Sequence, residues 1–163
     1  MLKFVDFKVT FQEVPDEISL CINLSNCPHK CKGCHSPYLQ EDIGTVLTTS
    51  ILNKLIESSD GITCVCFMGG DNDIPKLCEL AKHVQDNHNL KAAWYSGLSF
   101  NPNHGIDRPW YLFDYIKSGP YIQELGPLNA PTTNQKMWAK LSKDGSEEFY
   151  DVTDWFWNLD YES

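Results

Sequence analysis

The chain has 163 residues, 42% hydrophobic and 21% charged, and a net charge of −9. That is one domain's worth, residues 1–163 as a single unit, with apolar material enough for a core. The acidic balance excludes a general nucleic-acid binder, which would carry a basic face, and no apolar run approaches a membrane span, so neither nucleic acid nor membrane is expected as a partner.

Residues 2–12 interleave β-branched and aromatic side chains with charges, which predicts an edge strand punctuated by Pro15 and Asp16. Ile18, Leu20, Ile22 and Leu24 then alternate with Ser19, Cys21, Asn23 and Ser25, the period of two of a strand. Directly behind it comes Cys27-Pro28-His29-Lys30-Cys31-Lys32-Gly33-Cys34, three cysteines in one short loop. After turn residues Ser36, Pro37 and Gly44, Thr48 to Ser50 offer N-caps for a helix with Ile51, Leu52, Leu55 and Ile56 on one face, ended by Gly61. Ile62 to Met68 is a continuous apolar run of strand length, suited to a buried parallel strand, and it runs out into Gly69-Gly70-Asp71.

Asp73 caps the next helix, with Pro75 in its first turn and a buried stripe of Ile74, Leu77, Cys78, Ala81 and Val84. Leu90 to Tyr95 reads as a strand ending at Ser96-Gly97, residues 99–109 as a loop, and Phe113 to Lys117 as a further strand stopped by Gly119-Pro120. Lys143-Asp144-Gly145-Ser146 is a hairpin turn joining Met137–Ser142 to Phe149–Val152. Trp155, Phe156 and Trp157 close the tail, either covering the core or forming a docking patch. Alternating strands and helices predict an α/β fold on a parallel sheet. A closed eight-stranded barrel usually takes more than about 200 residues. The expectation is therefore an open, partial (β/α) barrel with a C-terminal β-hairpin and the cysteine loop at its C-terminal mouth.

Thiolates are soft ligands, and four of them normally hold a cubane iron–sulfur cluster. Cys27, Cys31 and Cys34, spaced C-x3-C-x2-C, would hold three irons and leave the fourth open to a ligand that chelates through an amine and a carboxylate. The alternative is structural zinc, which needs a closed set of four and would have to recruit His29, His35, Cys64, Cys66 or Cys78. The spacing favours the cluster. Seven cysteines, an odd number with no stretch resembling a secretion signal, argue against a disulfide framework and for a reducing compartment, the cytoplasm. The cysteines outside the triad, Cys21 among them, are expected in the core, where a free thiol behaves as a small hydrophobe.

The C-x3-C-x2-C loop resembles that of the radical S-adenosylmethionine (SAM) superfamily, whose members place a Gly-Gly-acidic turn where this chain has Gly69-Gly70-Asp71. Over nearly its whole length the chain further resembles the activating proteins of the anaerobic (class III) ribonucleotide reductase. The likeness is carried by Cys27 to His35, Trp94-Tyr95-Ser96-Gly97, Phe113 to Tyr121 and Thr133-Asn134-Gln135-Lys136. The resemblance implies an oxidoreductase that reduces SAM through a 4Fe–4S cluster to methionine and a 5′-deoxyadenosyl radical, which takes hydrogen from one glycine of the reductase's large subunit. It implies flavodoxin or ferredoxin as reductant and a barrel of the radical SAM type. It also implies Gly69, Gly70 and Asp71 at the SAM amine, Ser96 and Lys117 at the carboxylate or ribose, and a cofactor contact at Asn134 and Gln135. No catalytic residue beyond the cluster and SAM is expected. Two residues depart from the superfamily pattern: Gly33 stands where many members have an aromatic residue, and Asp71 where glutamate is usual. Another glycyl-radical enzyme or a small molecule such as a deazapurine precursor is the competing substrate, and a zinc module or plain electron carrier the competing role.

Overall fold

In the computed structural model, which describes residues 1–104 and 109–156, the chain forms one mixed α/β layer pair. Its strands are β1 (Lys3–Thr10), β2 (Ser19–Leu24), β3 (Thr45–Val46), β4 (Cys64–Met68), β5 (Lys91–Tyr95), β6 (Tyr115–Ser118), β7 (Lys136–Lys143) and β8 (Ser146–Asp151), with helices α1 (Thr49–Glu57) and α2 (Ile74–His88). They make a single eight-stranded sheet in the order β3-β1-β2-β4-β5-β6-β7-β8. Strands β2, β4, β5 and β6 run parallel, while β1, β3, β7 and β8 add on antiparallel at the two sides. The sheet is open, with β3 and β8 as its edges.

Local chemistry explains the boundaries. The Thr48 hydroxyl accepts from the Ile51 amide and starts α1, and the Asp73 carboxylate accepts from the Lys76 amide and starts α2. Asn89, at φ 53°, ends α2 in the left-handed conformation that asparagine tolerates. Asp144 and Gly145, both at positive φ, turn β7 into β8 as the hairpin expectation required. Strand β6 begins two residues later than its apolar run, because Phe113 closes a short 3-10 turn and packs in the core. Strand β3, a two-residue bridge onto Lys3 and Phe4, carries no periodic signal and is absent from the sequence reading.

Strand alternation divides the apolar residues between two faces. Leu20, Ile22, Leu24, Val65, Phe67, Ala92, Trp94 and Ile116 pack under the buried stripes of α1 and α2 as the main core. Cys21, Cys64, Cys66 and Ala93 lie buried on the other face with Val14. The four cysteines outside the triad are free and buried, Cys78 among the helix-side residues. Among the described residues, no helix is long and apolar enough to cross a membrane.

The 3-10 turn Thr153–Phe156 divides the aromatic tail. Phe156 is buried with Leu128, Met137, Ala139 and Val152, whereas Trp155 is 36% exposed, and Trp157 lies outside the described residues, as do positions 105–108 of the predicted loop. Phe156→Ala is expected to cost about 3 kcal/mol of stability. Trp155→Ala is expected to stay within about 0.5 kcal/mol. Chemical denaturation of the two variants checks both values.

Candidate metal centre

The parallel pairing brings the C-terminal ends of β2, β4, β5 and β6 to one edge of the sheet, where open α/β sheets keep their ligands. A cavity of about 200 Å3 sits there. Its floor is Asn23, Met68, Tyr95 and Lys117 from the four strands, its sides are Gly69, Gly70, Asp71 and Gly97, and its roof is the loop bearing Cys27, Cys31 and Cys34. A second cavity of about 450 Å3 shares Cys34, Met68, Tyr95, Lys117, Tyr121 and Gln135 with the first and opens between Gln12, Glu13, Asn129 and Phe156.

The loop is held at both ends. Asn26 and Cys27 donate their amides to Glu41 and Leu39 at 3.1 and 3.0 Å, and Cys34 donates to Cys31 at 3.2 Å. The Ser36 amide points at the Cys34 sulfur, 3.4 Å away. The three thiols are half-buried and free. Burial pushes the Cys27 thiol up from its ordinary value, and the nearby charges of Asp71, Cys31 and Cys34 push the same way, against the His29 backbone. Thiols take up a cationic centre by releasing their protons. Among the described residues, no three His, Cys, Asp or Glu side chains gather as the ligands of one ion would. His29, a candidate fourth zinc ligand, turns its Nε2 to Asp71, and the His35 ring packs at a tilt on Tyr121 with ring centroids 5.0 Å apart. Three sulfurs ringing a cavity fit a cubane, which offers each of them a different iron, better than a tetrahedral zinc.

The glycine turn is built by necessity. Gly69 and Gly70 have φ of 116° and 99°, and a Cβ on Gly70 would lie 3.1 Å from Leu77. Gly69 donates its amide to the Tyr95 carbonyl, and Gly70 accepts from Asp73, so the turn closes β4 onto β5 and onto the start of α2. The Asp71 side chain, 4% exposed, accepts from His29 Nε2 at 2.7 Å and from the Gly97 amide at 2.8 Å on the same oxygen. Its other oxygen is buried without a partner.

The remaining predicted residues separate. Lys117 is half-buried between the two cavities; its ammonium donates to the Gly119 carbonyl at 3.1 Å and lies 5.7 Å from the Tyr95 ring centre. Burial pulls its pKa down to about 8, although Asp71, Cys31 and Cys27 pull it up. Gln135 is buried on the wall shared by the two cavities. Asn134 instead holds the Pro120 carbonyl and faces a third cavity with Lys136 and Trp138. Ser96 is fully buried beneath the β5 end, accepting from the Leu98 amide and donating its own amide to the Lys117 carbonyl, and it lines none of the three cavities. Gly33 has φ 75° and lies under Gln123, whose Cδ would be 2.8 Å from a Cβ there, so the connection after β6 fills the space an aromatic side chain would use. Met68, Tyr95 and Tyr121 join the site without having been singled out; strand-end position was the available signal for the first two.

A family model described as a 4Fe-4S single cluster domain matches residues 18–126, more than half of the chain and the span from β2 past Lys117. No curated protein and no solved structure matches the chain.

The Lys117 ammonium weakens the fold while it is charged and buried, and that cost fades as pH rises from about 8 towards the ordinary lysine value of 10.5. In the cluster-free chain, Lys117→Met is therefore expected to be more stable than the wild type at neutral pH, with the difference shrinking in alkali. Thermal denaturation at neutral and alkaline pH checks it.

Proposed function

The chain belongs to the 4Fe-4S single cluster domain family, and on that premise we propose that it is a radical SAM activase that generates the glycyl radical on an anaerobic ribonucleotide reductase. The observation that carries the reading is one cavity holding three free thiols, a two-glycine turn and a half-buried ammonium, with a larger open cavity against it. An electron carrier needs cysteines alone. A half-buried cation without a carboxylate partner among the described residues suits a ligand that brings its own anionic group. Reading the open sheet as a partial barrel of the radical SAM type belongs to the same proposal.

Cys27, Cys31 and Cys34 would hold the cluster through three irons. When bound, the cluster supplies the electron that cleaves SAM and releases the radical which takes hydrogen from glycine. A potential toward the low end of the range of roughly −700 to +450 mV that such clusters span is what that chemistry asks of the protein. The chain's residues do the placing. Lys117, protonated at neutral pH, would hold the carboxylate or ribose of the ligand. The glycine turn, which carries no side chain, would let the ligand's methionine part approach the backbone closely. Met68 and Tyr95 form an apolar floor that keeps water from the reacting atoms.

The second cavity supports a protein substrate. It is open, shares a wall with the cluster cavity and is lined by Gln12, Glu13, Asn129 and Gln135 together with Leu128 and Phe156. An extended loop carrying a glycine would enter there and complete the enclosure, with flavodoxin or ferredoxin as the electron source.

Low-temperature EPR of the anaerobically reconstituted, reduced protein, with and without SAM, tests the reading. A cluster signal that changes shape with SAM is expected, followed by a glycyl doublet once reductase is added. A cluster indifferent to SAM would leave an electron carrier. Cys27→Ser, Cys31→Ser and Cys34→Ser are each expected to lose most of the bound iron in the same preparation. SAM cleavage is expected to be slow in the free protein and faster with reductase present; equal turnover in both conditions would remove the role of the substrate in closing the site.

A further inference from the structure

We propose that Asp71 is a positioning residue whose carboxylate pins the cysteine loop, through His29, to the glycine turn after β4 and to the end of β5. The inference rests on the cavity being a cluster site. It concerns how this chain holds its cysteine loop in place.

One oxygen of Asp71 receives two donors from different segments, His29 Nε2 at 2.7 Å and the Gly97 amide at 2.8 Å. An ionised carboxylate only accepts, so the imidazole carries its proton on Nε2. His29 stands two residues from Cys27 and two from Cys31, and its carbonyl lies 3.5 Å from the Cys27 sulfur. Gly97 is shaped to this contact, because a Cβ on it would fall 2.5 Å from His29 Cδ2. The loop's other described ties run to Leu39 and Glu41 within its own extension and to Gln123 and Tyr121 after β6. On the side of β4 and β5, Asp71 and His29 are the tie. A carboxylate at 4% exposure is expensive to bury, and this one sits where it links three segments that would otherwise meet the cluster independently.

A double-mutant cycle in the reconstituted full chain tests it, read as the rate of iron release to a chelator and as the EPR line shape of the reduced cluster. Asp71→Ala and His29→Ala are each expected to speed iron loss about tenfold, and the double variant no further than either one. His29→Gln, which keeps a side-chain N–H donor, should recover most of the loss. Gly97→Ala leaves both partners intact but crowds the ring, and should reproduce the fast release. Single variants that release iron at the wild-type rate, or effects that multiply in the double variant, would overturn the proposal. Should Asp71→Ala fail to fold, the two His29 variants decide: fast release in His29→Ala with slow release in His29→Gln supports the tie, and equal rates refute it. Wild-type EPR with SAM keeps the two readings apart. Coupling with no SAM response upholds the tie and removes SAM, whereas a SAM response without coupling removes the tie alone.

Discussion

Parallel pairing of β2, β4, β5 and β6 is the constraint on which the rest depends. Strands paired in parallel run the same way, so all four C-terminal ends arrive at one edge. Each end carries a residue that the site uses: the cysteine loop after β2, Gly69 to Asp71 after β4, Gly97 after β5 and Lys117 on β6. These segments are far apart in the chain and share no local interaction. Helices α1 and α2 cover one face of the sheet, which leaves the edge free for loops instead of core.

The charges at that edge explain one another. Lys117 is held below its ordinary pKa by burial, and Asp71, Cys31, Cys27 and Cys66 act against that shift. Asp71 in turn gives one oxygen to His29 and the Gly97 amide, and its charge pulls the Lys117 pKa up without an ion pair between them among the described residues. The ammonium keeps a single neutral acceptor, the Gly119 carbonyl, and an aromatic face. Such an arrangement is costly for an empty fold and well suited to one completed by an anionic ligand. The unpaired Asp71 oxygen and the raised Cys27 thiol describe the same cavity from its other walls.

The second cavity is bounded by the connection after β6, the turn before β2 and Phe156 from the tail, and no described element covers it. The same connection carries Tyr121 against His35 and Gln123 against Gly33, so the side of the cysteine loop that faces it is held by side-chain packing and not by backbone ladder bonds. A mouth built in this way leaves room for a segment of another protein to form the lid.

What the sequence determined by itself was local. The period of two in β2, the apolar run of β4, the capped stripes of α1 and α2 and the Asp-Gly hairpin each have a cause within a few residues, and the structure has them all. The triad is of the same kind, since three thiols in one loop signal soft-metal chemistry at any place in a fold. The tertiary structure alone decided which strand-end residues share a wall. Lys117 and Gln135 came to the cavity, Ser96 went beneath the β5 end, and Asn134, next to Gln135, turned to a different cavity, because neighbours on an extended chain point to opposite sides. The Asp71–His29 contact spans 42 positions and follows no periodicity, and Gly33 reads as a departure until Gln123 is seen packed on it. Such pairings come from the order of strands in the sheet, which no local pattern of side chains encodes.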